Sequence, residues 1–100
     1  MKYDKKDPLF TISVASQLVN LHPRTLMLYE KADLIRPFRT ETGRRRYSQA
    51  DIEKIKFIHY LTQKKRVNLA GIKLVFTIMK IVGKKSSSII KSELFSDFKS

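Results

Sequence analysis

Apolar residues along this chain fall into short phased groups, and the phase changes several times. Leu9-Phe10-Thr11-Ile12 is a brief β-prone run followed by Ser13, a residue able to accept from the free N–H groups of a helix start. A short strand and then a helix from about Val14 are therefore expected. Val14, Ala15, Leu18 and Val19 keep helical spacing up to Asn20, which tolerates the left-handed backbone of a tight turn. Pro23 suits the first turn of a second helix, where its missing N–H costs nothing, and Leu26 with Tyr29 continues a buried stripe until about Asp33. Two short helices joined by three or four residues predict a helix-turn-helix.

The period then shifts. Residues 34–38 and 44–47 read as two short strands around a turn containing Gly43, which makes a basic hairpin. Ser48 and Asp51 form a capping-box pattern, with Asp in place of Glu, opening a helix whose Ile52, Ile55, Ile58 and Leu61 run in phase to about Gln63. Residues 64–67 are a linker, and Asn68 caps again. Beyond it Leu69, Ile72, Val75, Met79 and Val82 mark one stripe and Leu74, Ile78 and Ile81 a second. A helix with two apolar faces needs two covering surfaces: the domain core on one side, and either a partner chain or the wrapped tail on the other. Gly83 with residues 84–88 ends this helix, and Ile90, Leu94 and Phe98 at four-residue steps allow one short amphipathic helix.

The predicted fold is mostly α with a small β-hairpin, a winged helix-turn-helix domain with a short C-terminal helical tail. Residues 1–8 are expected as a flexible lead-in, 9–83 as the domain, and 84–100 as a Ser/Lys-rich linker with a short dimerisation helix.

Charge narrows the function. The chain has 100 residues, Lys+Arg 21 against Asp+Glu 9 and a formal charge of +12, and both halves are basic. The densest stretch runs from Arg36 to Arg46, where Arg36, Arg39, Arg44, Arg45 and Arg46 face only Glu41. A polyanion is the natural partner, against the alternative of a merely solvated face. A membrane surface fits poorly, because the Arg-rich stretch has no helical pattern. The absence of cysteine removes disulfides, thiolate metal sites and a cysteine nucleophile, and no run is long enough for a secretory leader or membrane span, so a cytoplasmic protein is expected. Scattered carboxylates, no Gly-rich phosphate loop and only His22 and His59 as bases leave no catalytic site, cofactor site or metal site to assign. His59 reads as a half-buried packing residue, and His22 as an aid to opening its helix.

With Leu26 and Tyr29 turned inward, the opposite face of the second helix presents Arg24, Met27, Leu28 and Lys31, with His22 and Thr25 near its N-terminus. In a major groove, Arg24 would pair with a guanine, Thr25 would reach a phosphate or base edge, and Met27 or Leu28 would touch a thymine methyl. The alternative for Met27 and Leu28 is the core. The hairpin adds Arg39, Arg44, Arg45 and Arg46. Strand alternation sets Arg45 opposite Arg44 and Arg46, so Arg45 either contacts DNA or packs beneath the hairpin. Lys64, Lys65 and Arg66 form a second basic cluster suited to the DNA backbone.

Thr25-Leu26-Met27-Leu28-Tyr29-Glu30, Leu34-Ile35-Arg36-Pro37-Phe38-Arg39, Gly43-Arg44-Arg45-Arg46-Tyr47, Asp51-Ile52 and Val67-Asn68-Leu69-Ala70-Gly71-Ile72-Lys73 resemble the MerR family of transcription regulators. Ile12-Ser13-Val14-Ala15 and Leu21-His22-Pro23-Arg24-Thr25-Leu26 narrow the likeness to its HspR-type heat-shock repressors, over roughly residues 9–80. The resemblance implies a homodimer on an inverted-repeat operator in double-stranded DNA, repression of chaperone genes, and the chaperone DnaK as co-repressor. It also implies phosphate or base contacts for Arg24, Thr25, Tyr29, Arg45 and Tyr47. Met27 departs from the arginine usual there, and Asn20 and Asp33 stand where glycine is common. The other readings are an excisionase-like architectural DNA-binding factor and an RNA-binding or protein-docking module.

Overall fold

The computed structural model describes residues 4–98. Its order is α1 (Ile12–Val19), α2 (Pro23–Lys31), β1 (Phe38–Arg39), β2 (Arg45–Arg46), α3 (Gln49–Gln63) and α4 (Leu69–Leu94). The helix-turn-helix forms as the spacing predicts, with one shift at its start. Thr11, not Ser13, caps α1, its Oγ1 accepting from the Val14 N–H at 3.2 Å, so the helix begins at Ile12. The strand expected at residues 9–12 shrinks to a single antiparallel bridge between Phe10 and Tyr47. Helix capping consumes the residues that would have extended it.

Asn20 closes α1 in the left-handed region (φ 56°, ψ 46°), where the Leu21 N–H reaches the Ser16 carbonyl at 3.0 Å. Pro23 opens α2, and His22 Nδ1 accepts from the Arg24 N–H at 3.0 Å. Asp33 (φ 61°) turns the chain out of α2. Both Asn20 and Asp33 thus adopt the backbone for which glycine is usual. Ala15, Leu26 and Tyr29 lock the two helices together and onto Ile52, Ile55, Ile58 and Leu61 of α3. The α3 start has the expected capping box: Asp51 N–H donates to Ser48 Oγ at 3.0 Å and Ser48 N–H to Asp51 Oδ2 at 2.9 Å. Such a cap is worth about 1 kcal/mol.

At the N-terminus, residues 4–8 form a turn, in which the Asp7 N–H reaches the Asp4 carbonyl. The turn is fastened to α3, where Ala50 N–H donates to the Lys5 carbonyl at 2.9 Å and Lys5 pairs with Glu53 at 3.2 Å. The flexible lead-in expected there is therefore tied down over 4–8, and residues 1–3 lie outside the described residues.

Asn68 caps α4 through Oδ1, which accepts from the Gly71 N–H at 2.8 Å. A Cβ on Gly71 would approach Val67 Cγ1 to 2.7 Å and Asn68 Oδ1 to 3.2 Å, which explains a glycine one turn into a helix. Gly83 (φ 85°, ψ 171°) breaks α4 into an arm of residues 69–82 and one of residues 84–94, a backbone geometry that costs other residues dearly. Residues 84–88, expected as a linker, are helical. Across the bend Ser87 Oγ donates to the Met79 carbonyl at 2.5 Å, and the second arm folds back on the domain.

The fold-back rests on rings. Phe95 meets Phe57 edge-on at 5.4 Å between centroids, Phe98 meets it at 5.1 Å, and Phe98 lies 5.0 Å from Tyr60. Each such pair contributes about 0.5–1.5 kcal/mol beyond area burial. Tyr60 Oη donates to Asp97, and burial followed by that hydrogen bond pushes the Tyr60 hydroxyl up to about 12. The apolar residues that seat the tail on the core are thus Phe95 and Phe98; of the other two expected to take part, Ile90 is half-buried without packing on the core and Leu94 is exposed. Residues 99 and 100 lie outside the described residues.

Candidate nucleic-acid interface

The outer face of α2 follows from its inner one. Leu26 and Tyr29 are buried, which leaves His22, Arg24, Met27, Leu28 and Lys31 exposed and Thr25 half-buried. Met27 and Leu28 are 41% and 51% exposed, so neither belongs to the core. An apolar pair held out in water between cations is suited to a surface that offers both methyl groups and phosphates. His22 sits at the edge of this face, with Nδ1 occupied by the cap.

Beside it stands the hairpin, with register Phe38↔Arg46 and Arg39↔Arg45. Its turn is closed by the Gly43 N–H on the Thr40 carbonyl and the Thr40 N–H on the Arg44 carbonyl, both 2.8 Å. The five hairpin residues expected at the interface separate into three groups. Arg44 is fully outward, and Arg46 is half-buried, bonded only to the Arg45 carbonyl at 3.1 Å. Arg39 and Arg45 both turn to Glu30 of α2, at 3.0 and 2.6 Å. Burial pushes Glu30 up, but the hydrogen bonds from Arg45 and then Arg39 outweigh it and hold the carboxylate below its ordinary range. Arg45 packs beneath the hairpin and braces it to α2.

Tyr47 is the third group, and with Tyr29 it requires a correction. The resemblance carried both into the contact set, yet Tyr47 is 0% exposed and Tyr29 is 3% exposed. Tyr47 has no exposed surface and Tyr29 almost none, so while the core is closed neither ring faces a phosphate and both are core residues. Burial pushes the Tyr47 hydroxyl up to about 12, and it is a buried side-chain oxygen without a hydrogen-bond partner.

Lys64, Lys65 and Arg66 are exposed on the α3–α4 connection, with Arg66 at φ 57°. Lys65 is partly spent, pairing with Asp97 of the tail at 3.7 Å and lying over the Tyr60 ring. Glu30, the hub that sorts the hairpin arginines, was missed by the sequence reading; an acid one helical turn from the buried Leu26, on the helix that precedes the arginine-rich stretch, was the available signal. Among the described residues no cluster of His, Cys, Asp and Glu is arranged for a metal, and no helix is long and apolar enough to cross a membrane.

A capped two-helix unit with a basic outer face, followed by a basic hairpin, defines a helix-turn-helix regulatory protein. A family model described as MerR HTH family regulatory protein matches residues 10–77, and the chain belongs to that family. It is 45% identical over 71 residues to a putative heat shock protein HspR of Streptomyces coelicolor, covering 71% of this chain and 47% of that protein. It is also 38% identical over 76 residues to the HTH-type transcriptional regulator GlnR of Bacillus anthracis, covering 75% of this chain and 58% of GlnR. The HTH-type transcriptional regulator TnrA of Bacillus subtilis matches at 40% over 52 residues. The chain spans about half the length of the curated relatives it matches.

Proposed function

We propose that the protein is a sequence-specific, double-stranded-DNA-binding transcription regulator that works as a homodimer and represses heat-shock or chaperone genes. The observation that carries the reading is the outer face of α2: Arg24, Met27, Leu28 and Lys31 are exposed while the inner face is locked into the core. In this reading α2 enters the major groove. Arg24 pairs with a guanine, Thr25 reaches a phosphate or base edge, and Met27 and Leu28 meet thymine methyls. The hairpin acts as a wing, with Arg44 and Arg46 on phosphates and Arg39 and Arg45 held back by Glu30. Lys64 and Arg66 add backbone contacts.

Dimerisation is assigned to the uncovered face of α4, where Leu74, Ile78 and Ile81 stand in solvent, Ile81 being 78% exposed. Two copies of α2 would then read the two halves of an inverted repeat. The heat-shock assignment is supported by the 45% identity to the HspR relative over 71 residues. DnaK is retained as the proposed co-repressor, tested by its capture on the full chain.

The decisive experiment titrates the protein on the DNA upstream of its own gene and on a scrambled duplex at several salt concentrations. We expect preference for the specific site by about 10³ or more. Arg24→Ala should erode that preference. Arg44→Ala should weaken both duplexes alike and reduce the salt slope by about one ion. Equal binding to both duplexes would overturn the regulator reading in favour of an architectural DNA-binding factor, and footprinting on a recombination site would do the same.

A further inference from the structure

The elements assigned above to reading DNA and to pairing the chains are α2 and the first arm of α4, and one side-chain cluster joins them. Asp33 leaves the end of α2 at φ 61°, a backbone that glycine adopts at lower cost, and its carboxylate is engaged from two sides. Arg36 Nε and Nη2 donate to it at 2.9 and 3.2 Å. Lys73 of α4 donates to the same carboxylate and also to the Asp33 carbonyl, the latter at 2.9 Å. The Lys73 ammonium thus sits at the C-terminal end of α2, where the helix dipole favours a cation. Hydrogen bonds from Arg36 and then Lys73 hold the Asp33 carboxyl well below its ordinary range.

Among the described residues, Lys73 is the one side chain of residues 69–82 that forms a hydrogen bond or ion pair with anything outside α4. The rest of that arm is seated by apolar contact, with Ile72 fully buried and Leu69, Phe76 and Met79 partly buried against the core. Apolar burial is non-directional, whereas a hydrogen bond to a particular atom also fixes rotation. Leu74, on the face assigned to the second chain, follows Lys73 directly, and Ile81 of that face lies about 13 Å along the helix from Ile72. A tilt of about 10° at Ile72 would carry Ile81 by roughly 2 Å, and the second copy of α2 further still.

We propose, resting on the homodimer reading above, that Asp33 and Lys73 are positioning residues for operator recognition: their joint holds α4 at one angle to α2 and thereby sets which half-site spacing the protein accepts. The role needs no contact between either side chain and DNA. The two copies of α2 are connected only through the paired α4 helices, so the angle between α2 and α4 enters the separation twice. A dimer that reads an inverted repeat accepts the spacing that matches this separation. Arg36 completes the joint by holding the Asp33 carboxylate from the side opposite α4.

The test takes an operator selected by the full chain from a random duplex library and remakes it with base pairs added to or removed from its centre. The wild type should prefer one spacing by about tenfold or more. Lys73→Met removes the donor, and Asp33→Asn removes the charge while keeping a residue that tolerates the left-handed backbone. Each should flatten the preference to about threefold or less, with binding to a duplex carrying a single half-site changed by less than about twofold. Lys73→Arg should keep the preference, as should Lys80→Met, on the same arm and without a carboxylate partner among the described residues. Nitroxides on Lys31→Cys in this cysteine-free chain give a second readout: the distance between the two labels in the DNA-free dimer should be narrowly distributed, and broad once Lys73→Met is added. A wild type that binds every spacing alike would remove the homodimer reading and this role with it. A wild-type preference that survives both substitutions would overturn the role alone. So would a variant that loses the single half-site as strongly as the whole operator, which would make the pair a support of α2 itself.

Discussion

The two halves of this molecule hide their apolar surface unequally. From Phe10 to Gln63 most phased apolar side chains are inside, and what remains outside is mostly charge, with Val14 and Leu18 of α1 and Met27, Leu28 and Phe38 as the exposed apolar exceptions. From Leu69 onward Ile72 alone is fully buried, while Leu74, Ile78, Ile81, Val82, Ile89 and Leu94 are exposed. The first half is therefore complete in itself and presents a surface suited to a polyanion. The second half has one face on the domain and one face that water does not favour, as expected of an element awaiting an apolar partner.

The largest effect should come from breaking the half that is complete. Leu26 is fully buried where α1, α2 and α3 meet, so Leu26→Ala removes contacts that the surrounding helices cannot close over. A loss of about 2–5 kcal/mol is expected in chemical denaturation, with DNA binding lost alongside. A loss below about 1 kcal/mol would mean that the junction is looser than its burial implies.

The other half should respond in the opposite way. Ile81→Lys changes a side chain that is 78% exposed, so the folded monomer should keep its stability within about 0.5 kcal/mol. The proposed dimer should weaken at least about tenfold, or about 1.4 kcal/mol, read by sedimentation equilibrium. Unchanged association would move the dimer contact off this face and leave the asymmetry between the halves without its explanation.

That asymmetry also decided what could be read from the sequence. Local signals were strong in the first half. Asn20, Pro23 and the Ser48–Asp51 box each act within four residues, and the structure keeps all three roles. The N-cap of α1 falls at Thr11 rather than at the expected Ser13, because both residue types can cap a helix and only the backbone tells them apart. In the second half the decisive contacts join residues about forty apart. Phe57 and Tyr60 lie off the Ile52-Ile55-Ile58-Leu61 stripe, and these two are the rings that bring the tail back. A second apolar stripe announces that something covers it, but not what. The interface residues showed the same limit: the exposed face of α2 followed from its buried face, whereas Glu30 drawing in Arg39 and Arg45 depended on how the hairpin packs.

Glu30 offers a smaller perturbation, placed where the complete half meets its partner. Glu30→Gln keeps the shape and removes the charge, so the hairpin should loosen by about 1–2 kcal/mol. With Arg39 and Arg45 released, the salt dependence of DNA binding should steepen by one to two ions. The pH dependence has a definite sign. Since the folded-state carboxyl lies below its ordinary value, its contribution is present above roughly pH 4.3 and disappears as the pH falls through the lower folded value. Denaturation curves of wild type and Glu30→Gln should therefore converge on acidification, and a constant gap between them would remove the charge from the explanation.

The smallest expected change concerns Tyr47, where the half that looks complete carries its one visible defect. The ring fills the space beneath the hairpin, while its hydroxyl is buried without a partner, a situation that costs about 1–3 kcal/mol when nothing offsets it. Tyr47→Phe keeps the ring and removes the orphaned oxygen. The protein should be unchanged or up to about 1 kcal/mol more stable, with its affinity for DNA unaltered. A fall in affinity of tenfold or more at unchanged stability would show that the hairpin opens on DNA and that the Tyr47 hydroxyl reaches a phosphate, restoring it to the contact set from which its burial removes it. Because ring packing is the same in both forms, that one substitution separates a tyrosine kept for its volume from one kept for its oxygen.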